Sequence, residues 1–473
     1  GALVELAVTR RAGQRSRGEA LVINPGGPGG AGLPFAWALA EHLPADVLRL
    51  FDVVSWDPRG VGVSNPAIVC PNGAHWADPD LLGRCDRSTG ELMAHMSTGN
   101  HVDDLEALRM ALGGERLNYL GYSYGTYLGA MYANRFPDRV GRFVLDGATH
   151  PDAGTPEAPR LGGEPWYAAE SLEQVEARFF ELCDLAAACE LGDDSRVTFL
   201  DLTASVAELP TEAFGGEERI DAITLEAVVA TSMSDPFNWG VLATALEDAQ
   251  RGDASTLDAL ADLLEVSNAY FGEVVDLRES NEAVANPTIY CADFQAVPAA
   301  PAYCDGVPAN SRASAALGAV EVAEPMLVIG TAFDPNTPGR HAGELADRLG
   351  DAVVLYWDGV GHTAFPLNSP CVDDAVSAYL LDGVLPDDGL RCEFVAGAAG
   401  DQEIAEYLFA LPPAYVEPWI ADEIADTWGD DAGCGAERLS VAGDRIVVHV
   451  VLGVRSPAVT AAFDKAAAAC AAG

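Results

Sequence analysis

Gly121-Tyr122-Ser123-Tyr124-Gly125 stands between an apolar run, Leu117-Asn118-Tyr119-Leu120, and a helix-like run from Tyr127 to Arg135. A serine on a sharp strand-to-helix turn projects its hydroxyl above the sheet edge, and flanking glycines let the two backbones crowd together. The bare pattern also describes an ordinary glycine-rich turn; the strand before it and the helix after it read as a nucleophile elbow. Ser123 is therefore the expected nucleophile.

Upstream, Leu21-Val22-Ile23-Asn24-Pro25-Gly26-Gly27-Pro28-Gly29-Gly30-Ala31-Gly32 is an apolar strand entering a glycine-rich loop, followed by a helix-like stretch from Pro34 to His42. Two enzymes use such a loop. Beside a serine nucleophile, the N–H groups of Gly27 and Tyr124 are the expected oxyanion donors of an acyl-transfer intermediate. Alternatively, Gly27, Gly29 and Gly32 spell a dinucleotide fingerprint, with Asp52 or Asp57 near the distance of a ribose-binding acid. Pro28 weighs against the second reading, because it stiffens the turn and donates no hydrogen bond, and a nucleotide site leaves the serine elbow unused.

Downstream the parts of a hydrolase follow in order. Pro325-Met326-Leu327-Val328-Ile329-Gly330 reads as a buried strand delivering Asp334, and Val353-Val354-Leu355-Tyr356-Trp357 as another, followed by Gly359-Val360-Gly361-His362. The order Ser123, Asp334, His362 is that of an α/β-hydrolase, in which the imidazole takes the serine proton and the carboxylate fixes its tautomer. Asp146, ending the strand-like Phe143-Val144-Leu145, is the competing acid.

The Pro25–Gly32 loop, the block Phe51 to Ser64 with its Asp57-Pro58-Arg59-Gly60, the elbow, Val144-Leu145-Asp146-Gly147 and Gly361-His362-Thr363 together resemble the secreted tripeptidyl aminopeptidases of actinomycetes. These are relatives of the prolyl aminopeptidases among the α/β-hydrolases. The resemblance, over about residues 1 to 395, implies serine-dependent release of short peptides from a free N-terminus and carries over Ser123, Asp334 and His362 as the triad. Pro25 departs from the histidine usual in prolyl aminopeptidases, and the last eighty or so residues have no counterpart. The family also holds esterases and hydrolases of specialised metabolites, so a small ester or amide is the alternative substrate.

Composition narrows the partners. The 473 residues carry 27 Lys and Arg against 72 Asp and Glu, a formal charge of −45, and Lys465 is the one lysine. Nucleic acid and anionic membranes need clustered positive charge and are poor partners. The longest apolar run, around Ile446 to Val454, falls short of the ~18 to 20 residues that span a bilayer. Ten cysteines without a C-x-x-C pair or neighbouring histidines point to disulfides in an oxidising compartment rather than to a metal site. Sequence-local pairing predicts Cys70–Cys85, Cys183–Cys189, Cys291–Cys304, Cys371–Cys392 and Cys434–Cys470, although spacing alone leaves other connectivities open. Gly1 leads straight into a strand-like run, Leu3 to Val8, so the expectation is a secreted protein whose export signal is missing from this chain.

The expected organisation is a hydrolase core in two parts, 1–150 and 321–395, a helical cap at 151–320 and a small C-terminal α/β appendage at 396–473. The central sheet is expected to be mostly parallel. Cap helices are read at Glu170 to Ala188, Leu225 to Ala230, Asn238 to Gln250 and Ser255 to Asn268; the appendage is read as a helix from Gln402 to Ala410, an aromatic loop around Tyr415 and Trp419, a strand at Ile446 to Leu452 and an alanine-rich final helix. An aminopeptidase needs a carboxylate for the substrate ammonium, and Glu170, Glu181, Asp235 and Asp293 are the candidates, each taken singly reading more readily as a solvated helix face. No cofactor is called for. A serine exopeptidase leads, ahead of an esterase or amidase, a nicotinamide enzyme and a non-catalytic binding protein.

Overall fold

The apolar runs assemble into one sheet. In the computed structural model its eight strands pair in the order β1, β3, β2, β4, β5, β6, β7, β8. They are β1 Val8–Arg11, β2 Ala20–Asn24, β3 Asp52–Trp56, β4 Leu117–Tyr122, β5 Val140–Asp146, β6 Met326–Phe333, β7 Ala352–Val360 and β8 Leu390–Cys392. The structure describes the chain apart from residues 1–2, 17, 71–79, 153–168, 206–221, 237, 265–281, 295–303, 305–306, 308–315, 367–368, 395–399, 411–419, 421–427, 429–431, 453, 455–456 and 471–473. The expected loop at Tyr415 and Trp419 lies outside the described residues.

β1 runs antiparallel to β3, and every other pairing is parallel. Parallel strands are covered on both faces and therefore read as continuous apolar runs rather than alternating ones. Val22, Val54, Leu120, Val144 and Val328 are accordingly buried. Only Val8 of the run Leu3 to Val8 joins the sheet, Glu5 making an isolated bridge to Asn65. The parallel direction brings the turns after β2, β4, β5, β6 and β7 to the same edge of the sheet, the carboxyl edge where open α/β sheets place their ligands. Those turns carry Gly27, Ser123, Asp334 and His362, and Asp146 closes β5 at the same edge.

The chain divides into two compact units, one of residues 1–173 and 269–396, the other of 174–268 and 397–473. The first holds the whole sheet and also the helix Glu282–Phe294. In the second, the helices Ala169–Cys183 (from Gln174 on), Asn238–Gln250 and Asp401–Phe409 meet through an aromatic cluster, with Phe179 5.3 Å from both Trp239 and Phe409. The C-terminal stretch and the inserted helices thus share one core.

The expected strand at Ile446 to Leu452 is instead a helix, Asp444–Val451. Its β-branched residues favour a strand locally, but this unit offers no described sheet edge, and the helix buries Val447, Val448 and Val450. Tertiary burial overrides propensity. Disulfides join Cys70 to Cys85, Cys291 to Cys304 and Cys371 to Cys392 in the first unit, and Cys183 to Cys189 and Cys434 to Cys470 in the second.

Candidate active site

Ser123 sits between β4 and the helix Tyr124–Arg135 with φ 55° and ψ −123°, a left-handed conformation that costs a non-glycine residue about 1–3 kcal/mol. The surroundings enforce it. The Ser123 N–H donates to the main-chain carbonyl of Asp146 at 2.9 Å, and the Ser123 carbonyl accepts from the Thr126 N–H at 2.8 Å and the Thr126 hydroxyl at 2.7 Å. The glycines on either side are required by contact: a Cβ on Gly121 would lie 2.5 Å from the Gly125 carbonyl oxygen, and one on Gly125 2.7 Å from Asn24 Oδ1.

The glycine-rich loop after β2 is tied to the same elbow. Asn24 Oδ1 accepts the Gly26 N–H at 3.1 Å, and Gly26 approaches so closely that a Cβ there would meet the Tyr122 carbonyl oxygen at 2.5 Å and the Tyr124 nitrogen at 3.3 Å. Gly26 takes φ +94° and Gly27 φ +106°. The Gly27 N–H makes no hydrogen bond among the described residues, while the Tyr124 N–H opens the helix that begins beside Ser123. Asp52 and Asp57, the acids of the nucleotide reading, are engaged elsewhere. Asp52 binds Arg10 and the Gly13 N–H, and Asp57 accepts the Leu33 and Val63 N–H groups at 3.0 Å each, fastening the start of the helix Gly32–Leu39 to the loop after β3.

Asp334, fully buried after β6, is placed by its own turn. Oδ1 accepts the N–H groups of Asn336 and Thr337 at 2.8 Å each, and Oδ2 accepts the Thr337 hydroxyl at 2.9 Å and the Thr363 N–H at 3.2 Å. The Ser171 hydroxyl donates to the Asp334 carbonyl. His362 Nδ1 then lies 2.9 Å from both carboxylate oxygens. Burial pulls the His362 pKa down, but the charge and hydrogen bond of Asp334, with the charge of Asp146, outweigh it and hold the pKa above the ordinary 6.5. His362 and Ser123 line the same cavity of about 300 Å³, whose remaining walls include Pro25, Phe35, Tyr122 and Phe365. The geometry assembles a hydroxyl on a strained turn, an imidazole oriented by a buried carboxylate, and main-chain N–H groups on two converging loops.

The sequence reading missed Thr337. Its signal was present, since Asp334-Pro335-Asn336-Thr337 is an Asx turn in which an aspartate accepts N–H groups two and three residues on.

Asp146 is not the partner of His362 Nδ1. Its carboxylate accepts the N–H groups of Ala364 at 3.1 Å and Phe365 at 2.8 Å.

The acids considered for an ammonium scatter. Glu181 is exposed and lies 3.5 Å from Arg178, and Asp235 is exposed. Glu170 belongs to the helix Ala169–Cys183, its side chain outside the described set. Of the candidates with described side chains, Asp293 is linked to the elbow through Thr98: its carboxylate accepts the Thr98 N–H at 2.9 Å and the Thr98 hydroxyl at 2.5 Å. Because the Thr98 hydroxyl spends its proton on Asp293, the Tyr124 hydroxyl, 2.6 Å away, donates to Thr98. Among the described residues no group of three or more His, Cys, Asp and Glu is arranged to hold a metal ion. No described helix is long and apolar enough to cross a membrane.

Known proteins share this plan. A family profile described as alpha/beta hydrolase fold matches residues 19–182, and one described as TAP-like protein matches 292–392. The chain is similar to serine protease Hip1 of Mycobacterium tuberculosis, at 31% identity over 83% of this chain and 84% of the other. Against the tripeptidyl aminopeptidase of Streptomyces lividans it is 30% identical over 81% of this chain and 79% of the other. Against carboxylesterase B of M. tuberculosis it is 32% identical over 83% of each. With these relatives on both sides of the elbow, the chain belongs to the α/β-hydrolases, as a serine hydrolase of the tripeptidyl aminopeptidase family.

Proposed function

We propose that this protein is a secreted exopeptidase that releases short peptides from free N-termini through an acyl-enzyme, with Ser123 as nucleophile, His362 as general base and acid, and Asp334 as the orienting carboxylate. The observation that carries the reading is the His362–Asp334 pair opening on the cavity that Ser123 also lines.

Ser123 Oγ attacks the scissile carbonyl carbon as its proton passes to His362 Nε2, and the oxyanion is met by the Gly27 and Tyr124 N–H groups. Donors already in place need no reorganisation when charge develops, and removing one typically costs about 10² to 10³ in kcat. The tetrahedral intermediate collapses, His362 protonates the departing amine, and the same imidazole then activates water against the ester. Asp334 holds the tautomer that leaves Nε2 to accept.

Peptide release is favoured by the relative named tripeptidyl aminopeptidase. Secretion is supported by five disulfides with no free cysteine among the described residues. A second reading, an esterase, is supported by the relative named carboxylesterase B and by the aromatic lining of the cavity, Phe35, Tyr122 and Phe365. A fluorophosphonate should label the protein once, at Ser123, and Ser123→Ala should abolish labelling while leaving the unfolding transition in place. Labelling at another residue defeats the assignment. A panel of free-amine peptide p-nitroanilides against p-nitrophenyl esters then separates the two readings by their specificity constants.

A further inference from the structure

One buried carboxyl at the active edge is not used by the chemistry above. Asp146 ends β5, directly beside β4, where the register pairs it with Tyr122, the residue before the nucleophile. Its main-chain carbonyl accepts the Ser123 N–H at 2.9 Å. Its side chain, fully buried, turns the other way and takes two main-chain N–H groups from the loop that follows His362: Ala364 at 3.1 Å to each oxygen, and Phe365 at 2.8 Å to Oδ2.

We propose that Asp146 is a positioning residue that holds the nucleophile elbow and the histidine loop in register, its carbonyl gripping Ser123 and its carboxylate gripping the two amides just past His362. The inference rests on Ser123 and His362 being the reacting pair.

Ser123 and His362 arrive on different strands, with β5 and β6 between β4 and β7 in the sheet, so no local hydrogen bond sets the space between them. Asp334 fixes the ring of His362 but makes no hydrogen bond to the elbow among the described residues, whereas Asp146 is bonded both to the elbow and to the loop past His362. A carboxylate suits the task because two oxygens can receive two converging N–H donors, whereas a neutral amide offers one acceptor and turns its own N–H₂ toward a donor. Thr363 also needs holding, since it takes φ 71°, outside the conformations preferred by a β-branched residue. The groups facing Asp146 are His362 and Asp334 from their loops and Tyr122 from β4, with Asp373 of the helix Pro370–Asp382 acting on that tyrosine. Burial pushes the Asp146 carboxyl up to about 7, the Phe365 and Ala364 N–H groups and His362 opposing this and Asp334 adding to it; ionised, Asp146 in turn helps to keep the His362 pKa high.

Asp146→Asn preserves the shape and removes one acceptor. The experiment measures peptide p-nitroanilide turnover and fluorophosphonate labelling of Ser123 for the full chain and this variant, across pH. The expected result is a kcat and labelling rate lower by roughly tenfold to a hundredfold, as for a lost charge-assisted hydrogen bond, with KM changed little. The acid limb of the kcat/KM profile should also move to lower pH, a shift that loosened packing alone does not produce. A variant that labels and turns over like the wild type, or loses activity with its acid limb unmoved, overturns the proposal. If the variant does not fold, amide hydrogen exchange of the wild type decides: slow exchange at Ala364 and Phe365 supports the grip, and exchange at the rate of an open loop overturns it. Failure of wild-type Ser123 to label would instead remove the catalytic assignment on which the inference stands.

Discussion

His362 Nδ1 stands 2.9 Å from each carboxylate oxygen of Asp334, a symmetrical hold that presents Nε2 away from the acid. Asp334→Asn should lower kcat by about 10⁴, because an amide N–H₂ facing Nδ1 favours the tautomer in which Nε2 carries the proton and cannot accept one from serine. Asp334 also receives main-chain N–H groups from Asn336, Thr337 and Thr363, so the unfolding midpoint should fall as well. Turnover within tenfold of wild type would take the orienting role away from Asp334.

The elbow was legible because everything that makes it is local: an apolar strand, two glycines that a Cβ would jam, and a helix on the far side. The close approach of the glycine-rich loop after β2 was legible for the same reason. Asp146 was not, because its sequence neighbours suggest only an acid at a strand end; its role depends on β4 and β5 lying in register and on a loop more than two hundred residues downstream returning two N–H groups. Residues 444–451 misled in the opposite way, their valines speaking for a strand until burial on a helix decided against it. The grouping of 397–473 with 174–268 is a matter of long-range packing, which composition does not encode.

Asp146 also makes stability depend on pH. Its folded-state pKa of about 7 lies above the ordinary 3.8 expected of the unfolded chain. Between those values the folded protein holds a proton that the unfolded chain has released, so this group's contribution to stability is full at low pH and is lost as pH rises through the window. The effect is on the order of a few kcal/mol. Chemical unfolding of wild type and Asp146→Asn at pH 5 and pH 8 should show the variant losing less stability than the wild type between the two; equal losses would show that Asp146 titrates normally.

In the second unit, His449 Nε2 lies 2.6 Å from Asp248 Oδ2, which also accepts the Thr256 hydroxyl at 2.6 Å. This buried contact ties the helix Asp444–Val451 to the helix Asn238–Gln250. Removing one member leaves the other buried without its partner, so His449→Ala should destabilise the protein by about 1–3 kcal/mol. Denaturant unfolding followed by tryptophan fluorescence is the measurement. A midpoint within error of wild type would mean that the C-terminal stretch is held by apolar packing alone.

Substrate choice turns on the amine. If the enzyme releases peptides from free N-termini, an acid must meet the substrate ammonium, and a charge-assisted contact of that kind contributes about 1.5–3 kcal/mol net. Acetylating the amine removes the charge and leaves the acid facing a neutral amide, so kcat/KM should fall at least tenfold, and further if a buried carboxylate is left without a partner. The comparison is one short peptide p-nitroanilide with a free amine against its N-acetylated twin. It is run over a pH range in which the free amine loses its proton, where the advantage of the free peptide should shrink as the ammonium disappears. Mutating candidate acids one at a time then locates the contact: Glu170→Gln, Glu181→Gln, Asp235→Asn or Asp293→Asn should erase the difference between the twins at one position only. Equal specificity constants for the two peptides in the wild type would end the aminopeptidase reading and promote the esterase, with Ser123, Asp334 and His362 keeping the same chemistry.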